Sequence, residues 1–195
     1  MNIVTLGIAG TNGAGKDAVG ELLADRHNYL FISVTELLRA EAKRRNQPVE
    51  REFLREISAE WRRELGLGVL VDKAVAEYET VKDKCVGVVI ASLRNPGEAD
   101  RVHEMGGTVV WIDADPQTRY DRIQKNKATR GRAEEDNKTF EQFVAEEKEE
   151  MYTPSGGDSA NLNGAGVKAV ADVFLVNDSS NLEDLAQELT KQLNL

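Results

Sequence analysis

The stretch that decides the fold of this chain is residues 10–17, which read GTNGAGKD. It follows the short apolar run of residues 3–9 (IVTLGIA) and opens a helical stretch at residues 17–26. This order favours a phosphate-binding loop, because glycines let backbone N–H groups converge on an anion and the helix N-terminus adds its positive dipole end. We therefore expect the loop to hold the phosphates of ATP. The expected contact residues are Gly10, Asn12, Gly13, Ala14, Gly15, Lys16, Asp17 and Ala18.

Two side chains at the end of this loop carry charge. The spacing of Gly10, Gly15 and Lys16 matches a Walker A loop, in which the lysine reaches the β- and γ-phosphates. Asp17 stands where Ser or Thr normally ligates magnesium. A carboxylate can also bind Mg²⁺, directly or through water. We therefore predict that Lys16 is catalytic and that Asp17 is the metal ligand.

Two other interpretations of the loop remain open. Residues 13–18 also fit the dinucleotide-binding pattern G-x-G-x-x-A. That pattern needs an acidic residue at the end of the second strand, and the nearest candidate, Glu36, falls in a predicted helix start. It also leaves Gly10 and Lys16 without a role. The second alternative is a tight turn between a strand and a helix that binds no ligand.

The composition indicates an acidic globular domain. Hydrophobic residues make up 41% and charged residues 30% of the chain, which suits a single domain over residues 1–195. The formal charge of −9 opposes broad binding to nucleic acid or to an anionic membrane. The lone Cys85 excludes an internal disulfide and a cysteine zinc cluster. Because no basic segment precedes the first apolar run, which is too short to span a bilayer, we expect a cytoplasmic location.

Short apolar runs alternate with stretches of helical period along the whole chain. The five runs are residues 3–9, 29–32, 86–91, 108–112 and 173–176. Strands buried on both faces are continuous apolar runs, and strands that alternate with helices form a parallel sheet covered on both sides. We therefore predict a three-layer α/β/α fold with a roughly five-stranded parallel sheet.

Several local patterns predict where helices begin and end. Residues 33–36 (SVTE) have the spacing of a capping box, and Asp115 followed by Pro116 is typical of an N-cap and first helical position. The run EEKEE at residues 146–150 is predicted to be the solvated end of a helix. Residues 153–166, which are rich in Gly, Ser and Asn, are predicted to form a mobile loop.

Most of the chain resembles the P-loop nucleoside monophosphate kinases, including adenylate kinase. It also resembles dephospho-CoA kinase. The resemblance is closest to an uncharacterised archaeal group of kinase-like P-loop proteins, whose helices read much like residues 39–61 here. It implies a kinase core with an acceptor-binding helical segment at residues 33–80. Within residues 32–39 (ISVTELLR), it implies that Arg39 holds the acceptor phosphate and that Thr35 lies near the acceptor base.

A second part of the acceptor site follows the third predicted strand. Residues 91–98 (ASLRNPGE) resemble a family segment with a phosphate-binding arginine, and Arg94 matches that arginine. A guanidinium suits this role because it binds phosphate oxygens as a bidentate fork, although a surface ion pair is the alternative for Arg39 and Arg94. Relatives usually have a magnesium-organising aspartate where this chain has Ala91. We hypothesise that Asp17 takes over that role; the alternative is a domain that binds nucleotide and has lost its chemistry.

A basic cluster lies within residues 119–138 of this otherwise acidic chain. In the resembling kinases this segment is a small lid, whose arginines close over the phosphates, exclude water and stabilise the transferring group. By that likeness we expect Arg122, Arg130 and Arg132 to be catalytic. The alternatives are a solvated helix face and a small RNA-binding patch, which the net negative charge of the chain disfavours.

Together these patterns predict a kinase that uses ATP and Mg²⁺ and phosphorylates a nucleoside monophosphate or a similar nucleotide acceptor. We expect the protein to bind this small molecule and to bind neither a membrane nor nucleic acid. Lys16 and Arg94 would be catalytic, with Thr35, Arg39 and Arg94 binding the acceptor. Dephospho-CoA kinase is the alternative enzyme, and a non-catalytic nucleotide-binding regulator is the alternative class. The sequence leaves the acceptor and the oligomeric state open.

Overall fold

The computed structural model describes residues 4–130, 136–152, 156–178 and 181–195, with the backbone alone at residues 129 and 130. Its strands are β1 (Val4–Gly10), β2 (Tyr29–Ser33), β3 (Gly87–Leu93), β4 (Thr108–Asp113) and β5 (Val173–Val176). Its helices are α1 (Lys16–His27), α2 (Val34–Arg44), α3 (Arg51–Leu65), α4 (Val69–Glu79), α5 (Pro96–Glu104), α6 (Pro116–Lys125), α7 (Lys127–Arg130), α8 (Phe140–Met151), α9 (Gly164–Val170) and α10 (Leu182–Leu193). Ile3, the first residue of the predicted first strand, lies outside the described residues.

The strands form one parallel sheet in the order β2-β3-β1-β4-β5. β1 lies between β3 and β4, so the segment that follows β1 lies at the middle of the sheet's carboxyl edge. In open parallel sheets, ligands bind beyond the carboxyl ends of the strands, at the point where neighbouring connections diverge. The predicted fold class is confirmed, and its central strand delivers residues 10–17 to that point.

Successive strand residues face opposite sides of the sheet, which explains the continuous apolar runs. Val88 and Ile90 of β3 belong to a core cluster that α2, α3, α4, α5 and α9 cover. Val89 and Ala91, which alternate with them, belong to a second cluster that α1 and α10 cover. Two helical layers therefore enclose the sheet. None of the helices in the described ranges combines the length and apolar character that a membrane span needs.

The end of β3 differs from the prediction, because the strand continues to Leu93 instead of stopping at residue 91. Its register with β1 shifts at this point: Ile8 pairs with Ala91, whereas Ala9 pairs with Leu93. Ser92 falls between these pairs and has a φ of 71°. The side chain of Ala91 is fully buried in the core, so the polar group that the end of β3 supplies is the hydroxyl of Ser92.

The two predicted helix starts are correct in position, but only one of the two predicted side-chain caps forms. Asp115 caps α6 by accepting a hydrogen bond from the Thr118 N–H at 3.0 Å, as expected. Ser33 precedes α2, but its hydroxyl makes no capping hydrogen bond and is buried without a partner. The capping box predicted at residues 33–36 is therefore wrong. Ser33 still belongs to β2, where pairing with β3 fixes its backbone.

The predicted loop at residues 153–166 is shorter than expected. Gly164 and the two residues after it begin α9, because the Asn163 side chain caps that helix by accepting from the Gly166 N–H at 2.9 Å. The three residues at 153–155 lie outside the described part of the chain. The mobility of this segment stays a prediction.

Candidate functional site

The phosphate loop has the backbone that its glycines predicted. Gly10 has a φ of 141°, and a Cβ placed there would lie 1.9 Å from the carbonyl oxygen of Ile112 on the neighbouring strand. Gly15, at the N-cap of α1, has a φ of 94°. Both positions therefore require glycine, one for close approach to β4 and one for the left-handed turn into the helix.

Lys16 is buried at the floor of this loop. Its Nζ donates a hydrogen bond to the backbone oxygen of Thr11 at 2.6 Å, and the residue is only 6% exposed. Burial, aided by the nearby charge of Arg94, lowers the pKa of the ammonium from its usual value of 10.5 to about 7. A phosphate oxygen would compete with the Thr11 carbonyl for this donor and would favour its charged form.

Two side chains from outside the loop hold its carbonyl groups. Arg119 of α6 is buried and donates to the backbone oxygen of Asn12 at 3.2 Å, while a carboxylate of α8, Glu147, accepts from the same guanidinium. Asn177, just beyond β5, donates from Nδ2 to the backbone oxygen of Ala14 at 2.8 Å. These bonds fix the loop against α6 and the segment that follows β5. Arg119 is thus a structural member of the predicted basic cluster.

A pocket of about 650 Å³ opens beside the loop and joins it to α2, α3, the end of β3, α6 and α8. Most predicted site residues with described side chains line it: Asn12, Gly13, Gly15, Lys16, Asp17, Ala18, Thr35, Arg39, Arg94 and Arg122. Gly10 and Ala14 are buried and do not line the pocket. The side chain of Arg130 and all of Arg132 fall outside the described residues, so their predicted lid roles remain predictions.

Three arginines predicted for the site occupy different walls of this pocket. Arg39 on α2 is 3.4 Å from the carboxylate of Glu36, one turn away. Arg94 follows β3, and its guanidinium forms an ion pair with Glu150. Arg122 on α6 donates to the backbone oxygen of Asn177 at 2.8 Å. The structure therefore brings the predicted phosphate-binding arginines into one cavity with Lys16.

Sequence reasoning missed a polar face of α3. Arg51, Arg55, Ser58 and Arg62 recur at spacings of four, three and four residues, and all four line the pocket. Residues at these spacings share one face of a helix. This spacing is visible in the sequence, but arginines on a solvent-exposed helix face would have the same spacing.

The predicted solvated end of α8 is wrong for one of its acidic residues. Glu150 is 7% exposed and lines the pocket, where Arg55 donates to it at 2.8 Å and Arg51 lies at 3.0 Å. Burial alone would raise the pKa of this carboxyl, but the charges of Arg94, Arg51 and Arg55 outweigh burial and hold the pKa well below its usual range. Glu150 is therefore an ionised group inside the cavity.

Oxygen ligands suited to magnesium lie beside the loop. Ser92 donates a hydrogen bond from Oγ to a carboxylate oxygen of Asp17 at 3.2 Å, and both residues line the pocket. Hydroxyl and carboxylate oxygens are ligands that Mg²⁺ accepts, and it usually completes its shell with waters and substrate phosphates. No group of three or more His, Cys, Asp or Glu side chains that could hold a metal occurs in the described ranges. The residues present therefore fit a magnesium ion shared with a nucleotide.

Comparison with known proteins shows that the chain is similar to P-loop kinase-like proteins. A family model described as an AAA domain, AAA_18, matches residues 6–147. A UPF0200 protein of Pyrobaculum aerophilum is 29% identical over 195 residues, covering 98% of this chain and 97% of the relative. A shikimate kinase of Gloeobacter violaceus is 34% identical over 127 residues, covering 65% of this chain and 66% of the relative. The predicted resemblance to an archaeal kinase-like group is confirmed.

Two solved structures have folds similar to the fold of this chain. The shikimate kinase from Bacteroides thetaiotaomicron has a TM-score of 0.62 at 18% identity, covering 98% of this chain and 99% of that one. A gluconokinase from Sinorhizobium meliloti has a TM-score of 0.53 at 14% identity, covering 99% and 97% of the two chains. At these identities the likeness shows the kinase fold and leaves the acceptor open.

Proposed function

Because this chain belongs to the AAA_18 family of AAA domains and has the fold of the P-loop kinases, we propose that it is an ATP-dependent phosphotransferase. The acceptor is the phosphate group of a nucleoside monophosphate or a similar nucleotide. One observation carries the proposal: a single pocket joins the buried lysine of a phosphate loop to arginines on three other walls.

The donor end of the pocket is built from residues 10–17. Backbone N–H groups of the loop and the start of α1 bind the β- and γ-phosphates of ATP, and Lys16 adds a full charge. Asp17 and Ser92 would hold magnesium, which supplies positive charge to the phosphates during transfer. The loop carbonyls are already tied by Arg119 and Asn177, so the loop is preorganised for its ligand.

The acceptor end is built from helix α2 and the segment after β3. Arg39 and Arg94 bind the acceptor phosphate, and Thr35 lies near the base. Arg122 reaches the pocket from α6, where it stabilises charge on the transferring group. These roles ask the protein to position two charged reactants and to neutralise their repulsion, which accounts for most of the catalysis in phosphoryl transfer.

The carboxylates of the pocket favour a phosphate acceptor over a hydroxyl acceptor. A hydroxyl must lose its proton to a nearby base, whereas a phosphate oxygen is already ionised at neutral pH. Of the acidic side chains that line the described pocket, Asp17 is assigned to magnesium and Glu150 is held by three guanidiniums. Glu21 on α1, the remaining carboxylate, is exposed to solvent, so no buried and unassigned carboxylate of the described lining is left to act as a base.

A second candidate is a kinase for the hydroxyl group of a small carboxylic acid. The Gloeobacter violaceus relative is a shikimate kinase, and an arginine cluster can bind a carboxylate as well as a phosphate. Shikimate therefore belongs beside the nucleotides in any test of the acceptor.

The proposed function is tested by ADP release from ATP and Mg²⁺ with each ribo- and deoxynucleoside monophosphate, dephospho-CoA and shikimate. We expect one phosphate-bearing acceptor to stimulate ADP release. Lys16→Ala should abolish that release, whereas Lys82→Ala, which removes an exposed lysine paired with Glu79, should not change it. Wild-type turnover in Lys16→Ala would refute the assignment. ATP binding without acceptor-dependent ADP release across the panel would favour a nucleotide-binding regulator.

A further inference from the structure

The acceptor end of the pocket contains an anion that belongs to the protein itself. The carboxylate of Glu150 contacts guanidiniums from two elements: Arg51 and Arg55 on α3, and Arg94 after β3. Its hydrogen bond with Arg55 joins residues 95 positions apart in the chain. A carboxylate bound by three guanidiniums is the arrangement that such a cluster would offer to an acceptor anion.

The charges of this cluster do not balance. Among the residues that the structure describes, three guanidiniums face the one carboxylate of Glu150, which leaves a surplus of two positive charges. The neighbouring Glu146 lies 3.4 Å from Arg51 but also forms an ion pair with Lys138, so including both of these groups leaves the surplus unchanged. One further donor is available, because the Nε of Arg55 is buried and has no hydrogen-bond partner within the described part of the chain. The cluster can therefore hold an anion of higher charge than the Glu150 carboxylate alone.

We propose that Glu150 is a built-in competitor for the acceptor's anionic group, so that an anion of higher charge, such as a phosphate monoester dianion, displaces it and a monoanion does not. This inference rests on the proposed function, since it concerns the acceptor end of the same pocket. The acceptor phosphate takes the place of the Glu150 carboxylate on Arg94, while Arg51 and Arg55 keep contact with one anion or the other.

Selectivity follows from the exchange of one anion for another. Replacing the Glu150 carboxylate by the carboxylate of a small acid exchanges one negative charge for one, so it gains little electrostatic energy. Replacing it by a phosphate dianion doubles the charge that faces the guanidiniums, and Coulomb attraction in a partly buried site grows with that charge. The internal carboxylate thus weakens the binding of both kinds of anion by the same displacement cost, which the attraction of a dianion outweighs and that of a monoanion does not.

The test uses inorganic phosphate and acetate as probes, with binding measured by calorimetry at pH 8. The full-length chain carries Lys16→Ala in every variant, so any phosphate that the backbone of the loop binds contributes equally to parent and variants. Glu150→Gln removes the competing charge at similar size, and Glu149→Gln, on the exposed side of α8, is the matched control. We expect Glu150→Gln to bind phosphate about tenfold more tightly than its parent and to bind acetate measurably, because neither anion then displaces a charge. Glu149→Gln should match its parent.

Three results would overturn the inference: unchanged or weaker phosphate binding in Glu150→Gln, acetate binding equal to phosphate binding in the parent, or an equal gain in Glu149→Gln. If Glu150→Gln does not fold, Glu150→Asp decides the question. Its shorter carboxylate cannot keep all three contacts, so tighter phosphate binding supports competition and unchanged binding contradicts it. None of these measurements uses ATP or turnover. A failure here is therefore distinguishable from a failure of the proposed kinase activity.

Discussion

Replacing Arg62 by leucine tests whether the wall behind the pocket depends on a buried ion pair. The side chains of Arg62 on α3 and Glu98 on α5 are 1% and 0% exposed. Arg62 donates to one carboxylate oxygen of Glu98 from Nε at 3.1 Å and from Nη2 at 2.7 Å. It also donates to the backbone oxygen of Ala160 at 2.9 Å. The pair therefore joins α3, α5 and the segment before α9.

The expected loss of stability comes from the charge that remains. In Arg62→Leu, the carboxylate of Glu98 stays buried with the backbone N–H groups of Arg94 and Asn95 as its hydrogen-bond donors. Breaking a buried pair in this way costs about 3–5 kcal/mol. In a domain of this size each kcal/mol lowers the melting temperature by about 2–4 °C, so we expect a fall of roughly 6–20 °C.

The adjacent arginine provides a matched control. Arg63 has a side chain that is 55% exposed and pairs with Asp158 at 2.6 Å, and such surface pairs contribute about 0.2–1 kcal/mol. Urea unfolding followed by the fluorescence of Trp61 and Trp111 would give both free energies of unfolding. A difference between Arg62→Leu and Arg63→Leu below about 1 kcal/mol would refute the reasoning.

A double variant separates lost contacts from an unpaired charge. Adding Glu98→Gln to Arg62→Leu removes the buried negative charge while keeping the shape of the side chain. We expect the double variant to be more stable than Arg62→Leu alone by about 1–3 kcal/mol. Equal or lower stability would mean that Arg62 acts through packing.

Two further predictions concern the donor end of the pocket. Because the pKa of Lys16 is about 7 and bound phosphates favour its charged form, ADP binding should take up a proton and weaken by up to about tenfold per pH unit above pH 7. Calorimetry should find this slope absent in Lys16→Arg, whose guanidinium stays charged, and an equal slope in that variant would contradict the role of Lys16. Asp17→Ala should raise the magnesium concentration needed for half-maximal ADP release by about tenfold or more, whereas Ser92→Ala should have a smaller effect. Unchanged magnesium dependence in Asp17→Ala would show that another group binds the metal.

Local patterns in the sequence predicted the frame of this protein. The strand, loop and helix around residues 10–17 follow from apolar runs and from glycines at positions that need a left-handed backbone or a close approach. The five strands and the cap at Asp115 likewise depend on residues near one another in the chain. Because these signals are local, residue type and spacing were sufficient to find them.

Tertiary structure decided which charged side chains meet in the pocket. Arg94 and Glu150 are 56 residues apart, and neither the run around Glu150 nor the arginines of α3 carry a local sign of which face is buried. The role of Ser92 depends on a register shift between β1 and β3, a property of two paired strands. Helical spacing assigns residues to a common face, but the packing of other elements determines whether that face meets solvent or a cavity. For this reason the sequence by itself determined the phosphate loop and the parallel sheet, whereas the charge arrangement at the acceptor end required the assembled fold.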